Sequence, residues 1–263
     1  MINNLYFRNP FSFCKHTWRA MKKVLILSDI HGNLSALNQV LKAEPLTEFA
    51  GVILLGDLID YGPRSNEVVR RLKAIPKRQL LVNIWGNHEH AILSGNFDRF
   101  SSERGKLCAA YTQKNLTDET MEFLNGSMEK SGKCEFELYG KHCLAVHGSL
   151  DDFYWKSISH GEADEAYAKY DIVFSGHSHI PHFFEHFYAC DNEAYRNKKK
   201  TIFINPGSVG QPRNHNSNAH YAVLELETMS VQMKTAVYDI EYETGLFSDV
   251  VDSFYRERLR RGV

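Results

Sequence analysis

No two of the five cysteines form a C-x-x-C pair. Cys14, Cys108, Cys134, Cys143 and Cys190 are odd in number and scattered, which disfavours both a disulfide framework and a thiolate zinc site. They read as reduced, mostly core thiols of a cytoplasmic protein. No apolar run approaches the length of a membrane span. Neither sign of charge is in excess: the net charge is −1, so no global field draws nucleic acid or an anionic membrane. A stripe of interleaved basic and aromatic residues is also missing, which argues against a long nucleic acid substrate. A small anionic substrate remains compatible, because a bound cation can supply charge locally. With no internal repeat and no low-complexity linker, 263 residues are read most economically as one large domain.

Residues 1–20 differ from the rest. They contain Arg8, Lys15 and Arg19 but no acidic residue, and Pro10 breaks any apolar run. That makes a poor secretory signal, and the segment is expected to be an extension or the product of an upstream start. The main domain is expected over 21–240 and a helical tail over 241–263. From Lys22 the chain alternates short apolar runs with helical periodicity: Val24 to Leu27, Gly51 to Leu55 and Leu80 to Trp85 as strands, with helices between them. This rhythm implies right-handed strand–helix–strand units on a parallel sheet. Ser65 is expected to cap the second helix. Residues 94–132 break the rhythm with two helices, near 103–114 and 118–125, and are expected to cap the site. Further strands are expected near 134–138, 143–146, 171–174, 201–204, 221–226 and 231–237. The basic tail should form an exposed amphipathic helix with a solvated basic face.

What the strands lead into is distinctive. Five strand ends present Asp29 and His31, Asp57 and Asp60, Asn87 and His88, His147, and His177 and His179. Ligands in open α/β sheets bind at that edge. There are too many groups for one mononuclear site, and they divide into two sites sharing one carboxylate. Imidazole and oxygen donors without thiolate suit Mn, Fe, Zn or Ni rather than Ca. Two such ions are the usual apparatus for displacement at phosphorus.

The strings Asp29-x-His31, Gly56-Asp57-x-x-Asp60, Gly86-Asn87-His88-Glu89, His147-Gly148 and Gly176-His177-x-His179, in this order, resemble those of the calcineurin-like metallophosphoesterases. The resemblance runs from Lys22 to about Asp239. It implies a four-layer αββα sandwich of two mixed sheets flanked by helices. It implies that Asp29, His31 and His179 hold a first metal, that Asn87, His147 and His177 hold a second, and that Asp57 bridges them. His88 would be the catalytic histidine and Asp60 its orienting partner. The run Asn205-Pro206-Gly207-Ser208-Val209-Gly210-Gln211-Pro212-Arg213 resembles a signature of the small bacterial and archaeal phosphodiesterase-like subgroup. Asn33 and Arg213 are the candidate substrate contacts.

The reaction expected from this resemblance is hydrolysis of a small phosphoric ester, a phosphodiester in preference, by in-line attack of a metal-bound hydroxide with two divalent ions, Mn favoured. Tyr61 departs from the protein-phosphatase branch, which places an Arg there, so a phosphomonoesterase of that type is a weaker alternative. A diadenosine polyphosphate hydrolase is another. A protein-binding scaffold on the same fold is the rival from a different class, and the presence of His88 and Asp60 with all seven ligands disfavours it. Outside the motifs, His16, His142, His160, His186, His215 and His220 are expected at the surface or in loops, while His90 and His182 lie nearer the site.

Overall fold

The computed structural model describes residues 22–196 and 198–263. The expected extension over 1–20 lies outside the described residues. The chain opens with β1 (Lys23–Leu27), α1 (Leu34–Ala43), β2 (Gly51–Leu54), α2 (Ser65–Lys73) and β3 (Leu80–Asn83). β1 pairs parallel with β2, and β2 with β3, so their carboxyl ends share one edge. Then come α3 (Asn87–Ser94), α4 (Glu103–Asn115), α5 (Asp118–Gly126) and the hairpin of β4 (Lys133–Leu138) and β5 (Lys141–Val146). β6 (Ile172–Ser175), β7 (His182–Phe187), β8 (Lys200–Asn205), β9 (Ala219–Glu225), β10 (Ser230–Ala236), α6 (Ile240–Thr244) and α7 (Ser253–Arg261) complete it.

Two five-stranded sheets result, in the orders β10-β9-β1-β2-β3 and β4-β5-β6-β8-β7. The first carries parallel β1, β2 and β3 on one side and antiparallel β9 and β10 on the other; the second has a parallel centre of β5, β6 and β8 with an antiparallel strand at each edge. Alternation along the strands builds the layers. Val24, Ile26 and Ile53 point into the sandwich against Cys143, Phe174 and Ile204. Leu25, Leu27, Val52 and Leu54 point the other way, onto the buried stripes of α1 and α2. Both faces of β1 and β2 are therefore covered, which is why these strands are continuously apolar. The αββα expectation holds.

Several local expectations change. β7, an edge strand, was not anticipated, because His182-Phe183-Phe184-Glu185-His186-Phe187 shows no clean alternation of burial. Asn87 begins a helix instead of lying in a loop. Ser65 is not a cap: it is the first helical residue, and its hydroxyl accepts from the Asp60 N–H (3.0 Å). The insertion divides in two. α5 lies against α2, with Lys73 Nζ 2.9 Å from Glu119 Oε1, and its Phe123 and Leu124 join the helix-side core. The stretch leading into α4 and the first turn of α4 reach the site edge. The tail is not simply exposed either: Tyr255 and Leu259 of α7 are buried with Cys108 of α4. His220, expected at the surface or in a loop, is buried on β9, a strand whose two faces are both covered.

Candidate metal centre and its pocket

The loops that end the strands carry their ligands on backbone turned into the left-handed region. Asp29, His31, Asp57, Asp60, Tyr61, His177 and His179 all have φ between 46° and 73°. Such conformations cost roughly 1–2 kcal/mol per residue without glycine, and here the surroundings hold them. Asp29 N–H donates to Gly56 O, His31 N–H to Asp57 O, and Gly210 N–H to Asp29 O. Gly56 explains the Gly-Asp string: a Cβ there would lie 2.4 Å from Gly86 N. Gly86 has the same explanation, since its Cβ would meet Asp57 Oδ1 at 2.1 Å.

Five of the seven ligand side chains, those of Asp29, His31, Asp57, His147 and His179, have one atom fixed by the protein and another presented. Asp29 Oδ2 accepts from the Ser28 hydroxyl (2.5 Å) and the His177 N–H (3.2 Å). Asp57 Oδ1 accepts from the His88 N–H (2.9 Å). Asp29 Oδ1 and Asp57 Oδ2 are buried without any donor. The imidazoles follow the same rule. His31 Nδ1 faces Ile59 O (3.1 Å), His147 Nδ1 faces Leu55 O (2.7 Å) and His179 Nδ1 faces Gln211 O (2.6 Å). A carbonyl oxygen can only accept, so the Nδ1 atoms carry the protons and the Nε2 lone pairs point inward.

Those inward atoms fall into two clusters, Asp29, His31, Asp57 and His179, and Asp57, His147 and His177, with ligand atoms of each within 4.8 Å of one another. Asp57 belongs to both: its Oδ2 lies 3.6 Å from His31 Nε2 and 3.3 Å from His147 Nε2. Asn87 Oδ1 joins the second cluster, 3.0 Å from His147 Nε2 and 2.9 Å from His177 Nδ1. His31 Nε2 and His179 Nε2 stand 3.2 Å apart. Two lone pairs that close repel, and two carboxylate oxygens without donors are costly. A cation in each cluster relieves both, so the donor set fits divalent transition metals. All seven residues expected as ligands are thus brought together.

Electrostatics follow burial and neighbours. Burial opposes charge on Asp29 and Asp57, yet the surrounding imidazoles outweigh it and hold both carboxyls well below the usual range. Burial lowers His31 far below its ordinary value and, with His147, brings His177 down to about 4. His147 goes up to about 9, because Asp57 overcomes the effect of its burial.

His88 Nδ1 lies 2.7 Å from Asp60 Oδ2. Its Nε2 is directed inward, 3.9 Å from Asp57 Oδ2. Burial lowers its pKa, but the charges of Asp57 and Asp60 win and raise it. Sequence reasoning assigned no role to Glu89. Its carboxylate accepts from the N–H groups of Asp57, Leu58 and Gly86 (2.7–2.8 Å), tying the second and third loops together. Its burial and the Asp57 charge push it up to about 7. The only signal for it was its place in the Gly-Asn-His-Glu string. Thr112 was also missed: its hydroxyl donates to Asp60 Oδ1 (2.6 Å), a contact between distant elements with no local sequence mark.

Residues 21–229 match the family model of the calcineurin-like phosphoesterase superfamily domain. The chain belongs to that superfamily. It is a phosphoester hydrolase of a metal-dependent family. Among its relatives are an uncharacterised protein of Methanocaldococcus jannaschii, 27% identical over 83% of this chain and 88% of the relative, and the phosphodiesterase YfcE of Escherichia coli K12, 24% identical over 80% and 91%. Among solved structures, a metallophosphoesterase of Sphaerobacter thermophilus superposes with a TM-score of 0.70 at 24% identity, covering 92% of this chain and all of that one.

In this phosphoesterase a cavity of about 610 Å³ opens in front of the clusters. Asp57, Asn87, His88, His177 and His179 form its floor, and Arg213 is among its lining residues. Asn33 does not reach it and is corrected. Its Oδ1 caps α1 by accepting from Ala36 N–H (3.0 Å), and its Nδ2 donates to Gly210 O and the Tyr238 hydroxyl. The reason is that the chain turns into α1 at Asn33, and its short amide side chain satisfies the helix end. The basic tail is corrected too, since Arg258 lines the cavity instead of facing solvent. His90 stacks on Tyr154 outside the cavity (4.4 Å), and His182 Nε2 is buried on β7 without a partner. Among the described residues, no helix is long and apolar enough to cross a membrane.

Proposed function

We propose that this phosphoesterase hydrolyses small phosphodiesters with two divalent transition-metal ions, manganese the favoured pair. Asp29, His31 and His179 would hold one ion, Asn87, His147 and His177 the other, and Asp57 both. The observation that carries this is Asp57 Oδ2, buried, without a donor, and within 4 Å of a histidine Nε2 from each cluster. Bound there, the ions would polarise the phosphoryl oxygens and supply hydroxide at neutral pH.

The protein's own part is positioning and proton transfer. Asp60 orients His88 through Nδ1, so Nε2 faces the cavity and can give its proton to the departing oxygen. Tyr61 supports a diester. It stands where an Arg would grip a second charge on a monoester, and its ring packs against His31 and His88 (4.7 and 4.4 Å). The name of the Escherichia coli relative points the same way. We further infer a cytoplasmic setting, which suits the free thiols of Cys108, Cys134, Cys143 and Cys190, and a small phosphoester as the partner, with neither a long nucleic acid nor a membrane. The test is turnover of manganese-loaded protein on nitrophenyl mono- and diesters. A diester rate above the monoester rate is expected; the reverse order overturns the diester reading.

A further inference from the structure

The cavity holds positive charge that chemistry at its floor does not use. Arg99, Arg104, Arg213 and Arg258 line it, and Asp57 is the single carboxylate among the lining residues. Asp57 belongs to the ligand clusters. Arg99 is engaged by Asp152 (2.7 Å) and by the Trp155 ring. Among the described residues, Arg104 and Arg213 have no carboxylate partner. Acidic groups near α7 are taken elsewhere: Asp249 by Arg256, Glu241 and Glu257 by Arg260. Arg213 Nε is buried without an acceptor. Arg258 Nε donates to an oxygen of Val263, the last residue of the given sequence, and its two terminal guanidinium nitrogens have no acceptor among the described residues.

These three arginines come from α4, from the loop after β8 and from α7, so the tertiary fold assembles them. They are also positioned: the Phe254 ring lies 4.2 Å from the Arg104 guanidinium carbon and 5.1 Å from that of Arg258, a cation–π arrangement. Burial and the neighbouring Arg213 bring Arg258 down to about 10. Gathering three like charges with less than matching counter-charge is unfavourable unless an anion completes the set.

We propose that Arg104, Arg213 and Arg258 form a second anion subsite, and that the substrate is a phosphoester carrying a second phosphoryl group a few bonds from the one hydrolysed. This rests on the phosphodiesterase reading above. A diester phosphorus carries one negative charge, which the floor would take. A terminal phosphoryl group carries close to two, on three acceptor oxygens, and guanidinium forks match that geometry.

The test compares two substrates with one leaving group: the nitrophenyl ester of thymidine 5′-phosphate, with and without a 3′-phosphate. The readout is the ratio of kcat/KM on manganese-loaded protein. About tenfold or more in favour of the 3′-phosphorylated ester is expected, the size of one charge-assisted hydrogen bond. Arg258→Ala and the exposed-site variant Arg104→Ala should each bring that ratio towards one, and Arg258→Lys should restore part of it. A wild-type ratio near one, or an unchanged ratio in both alanine variants, overturns the subsite. Equal slowing of both esters by Arg258→Ala would mean that the arginine reads the reacting phosphoryl group, which also overturns it. Calorimetric binding of thymidine 3′,5′-bisphosphate against thymidine 5′-phosphate asks the same question without turnover. If neither ester is hydrolysed the phosphodiesterase reading fails, while the affinity ratio still decides the subsite.

Discussion

The floor and the walls of the cavity face the same space but are held differently. On the floor, most ligands have one atom tied to the protein and one presented. Asp57 illustrates this, with Oδ1 on the His88 N–H and Oδ2 free. These residues sit at the ends of strands whose backbones interlock. The walls come from added elements, α4 and α7, which meet through Cys108, Tyr255 and Leu259. Arg104 of the one and Arg258 of the other lie against the Phe254 ring. The floor is therefore built to hold cations and do chemistry, and the walls to choose an anion. Thr112 of α4 joins the two by donating to Asp60, the partner of His88.

The largest expected effect removes the floor's shared charge. Asp57→Asn keeps the shape but leaves two cations without the carboxylate between them. Metal content by mass spectrometry should fall well below two per chain, and turnover should vanish. A variant that kept two ions and near-normal rates would show that the clusters do not share Asp57.

Next comes His88, which is on the floor but outside both clusters. His88→Ala should keep both metals and lose about 10²–10⁴-fold on alkyl diesters, the range of general acid catalysis. It should lose far less on nitrophenyl esters, whose leaving group needs no proton. Asp60→Asn should show the same pattern more mildly, because the imidazole stays but is poorly oriented. Equal loss along a leaving-group series would leave His88 as an electrostatic stabiliser only.

The crossing point is tested by Thr112→Val, which strips one donor from a buried carboxylate. About tenfold lower turnover on alkyl diesters is expected, the size of one such bond, with rescue by Thr112→Ser. If serine does not rescue, the effect is packing of α4 and the wall does not support the catalytic pair.

The smallest effect on rate should come from Leu259→Ala, which loosens α7 from α4. Removing a buried leucine costs about 2–5 kcal/mol of stability, so thermal unfolding should shift. Metal content and the rate on simple diesters should change little, while discrimination between substrates with and without a second phosphate should fall. Loss of metal in this variant would mean that floor and walls are one unit.

Much of the floor was legible because it is local. Asp29 and His31, Asn87 and His88, and His177 and His179 are each neighbours in sequence, set by a strand that ends where they begin. The apolar runs before them mark the strands, and Gly56 and Gly86 mark close backbone approaches. Asn33 was misread because one amide serves equally as a helix cap and as a ligand contact, and sequence does not show which way it points. Arg258 was misread because a basic helix end is ordinarily solvated.

By itself, then, the sequence determined most of the order of strands and helices, β7 and the helix at Asn87 apart, the buried faces of β1 and β2, and the identity of the metal-type side chains, since each depends on residues a few positions apart. Only the tertiary structure decided that Asp57 Oδ2 faces both clusters, that Thr112 holds Asp60, and that Arg104, Arg213 and Arg258 share one wall. Those relations join residues far apart in the chain, and nothing in local periodicity encodes a distance that arises only when two sheets and the helices around them close on one another.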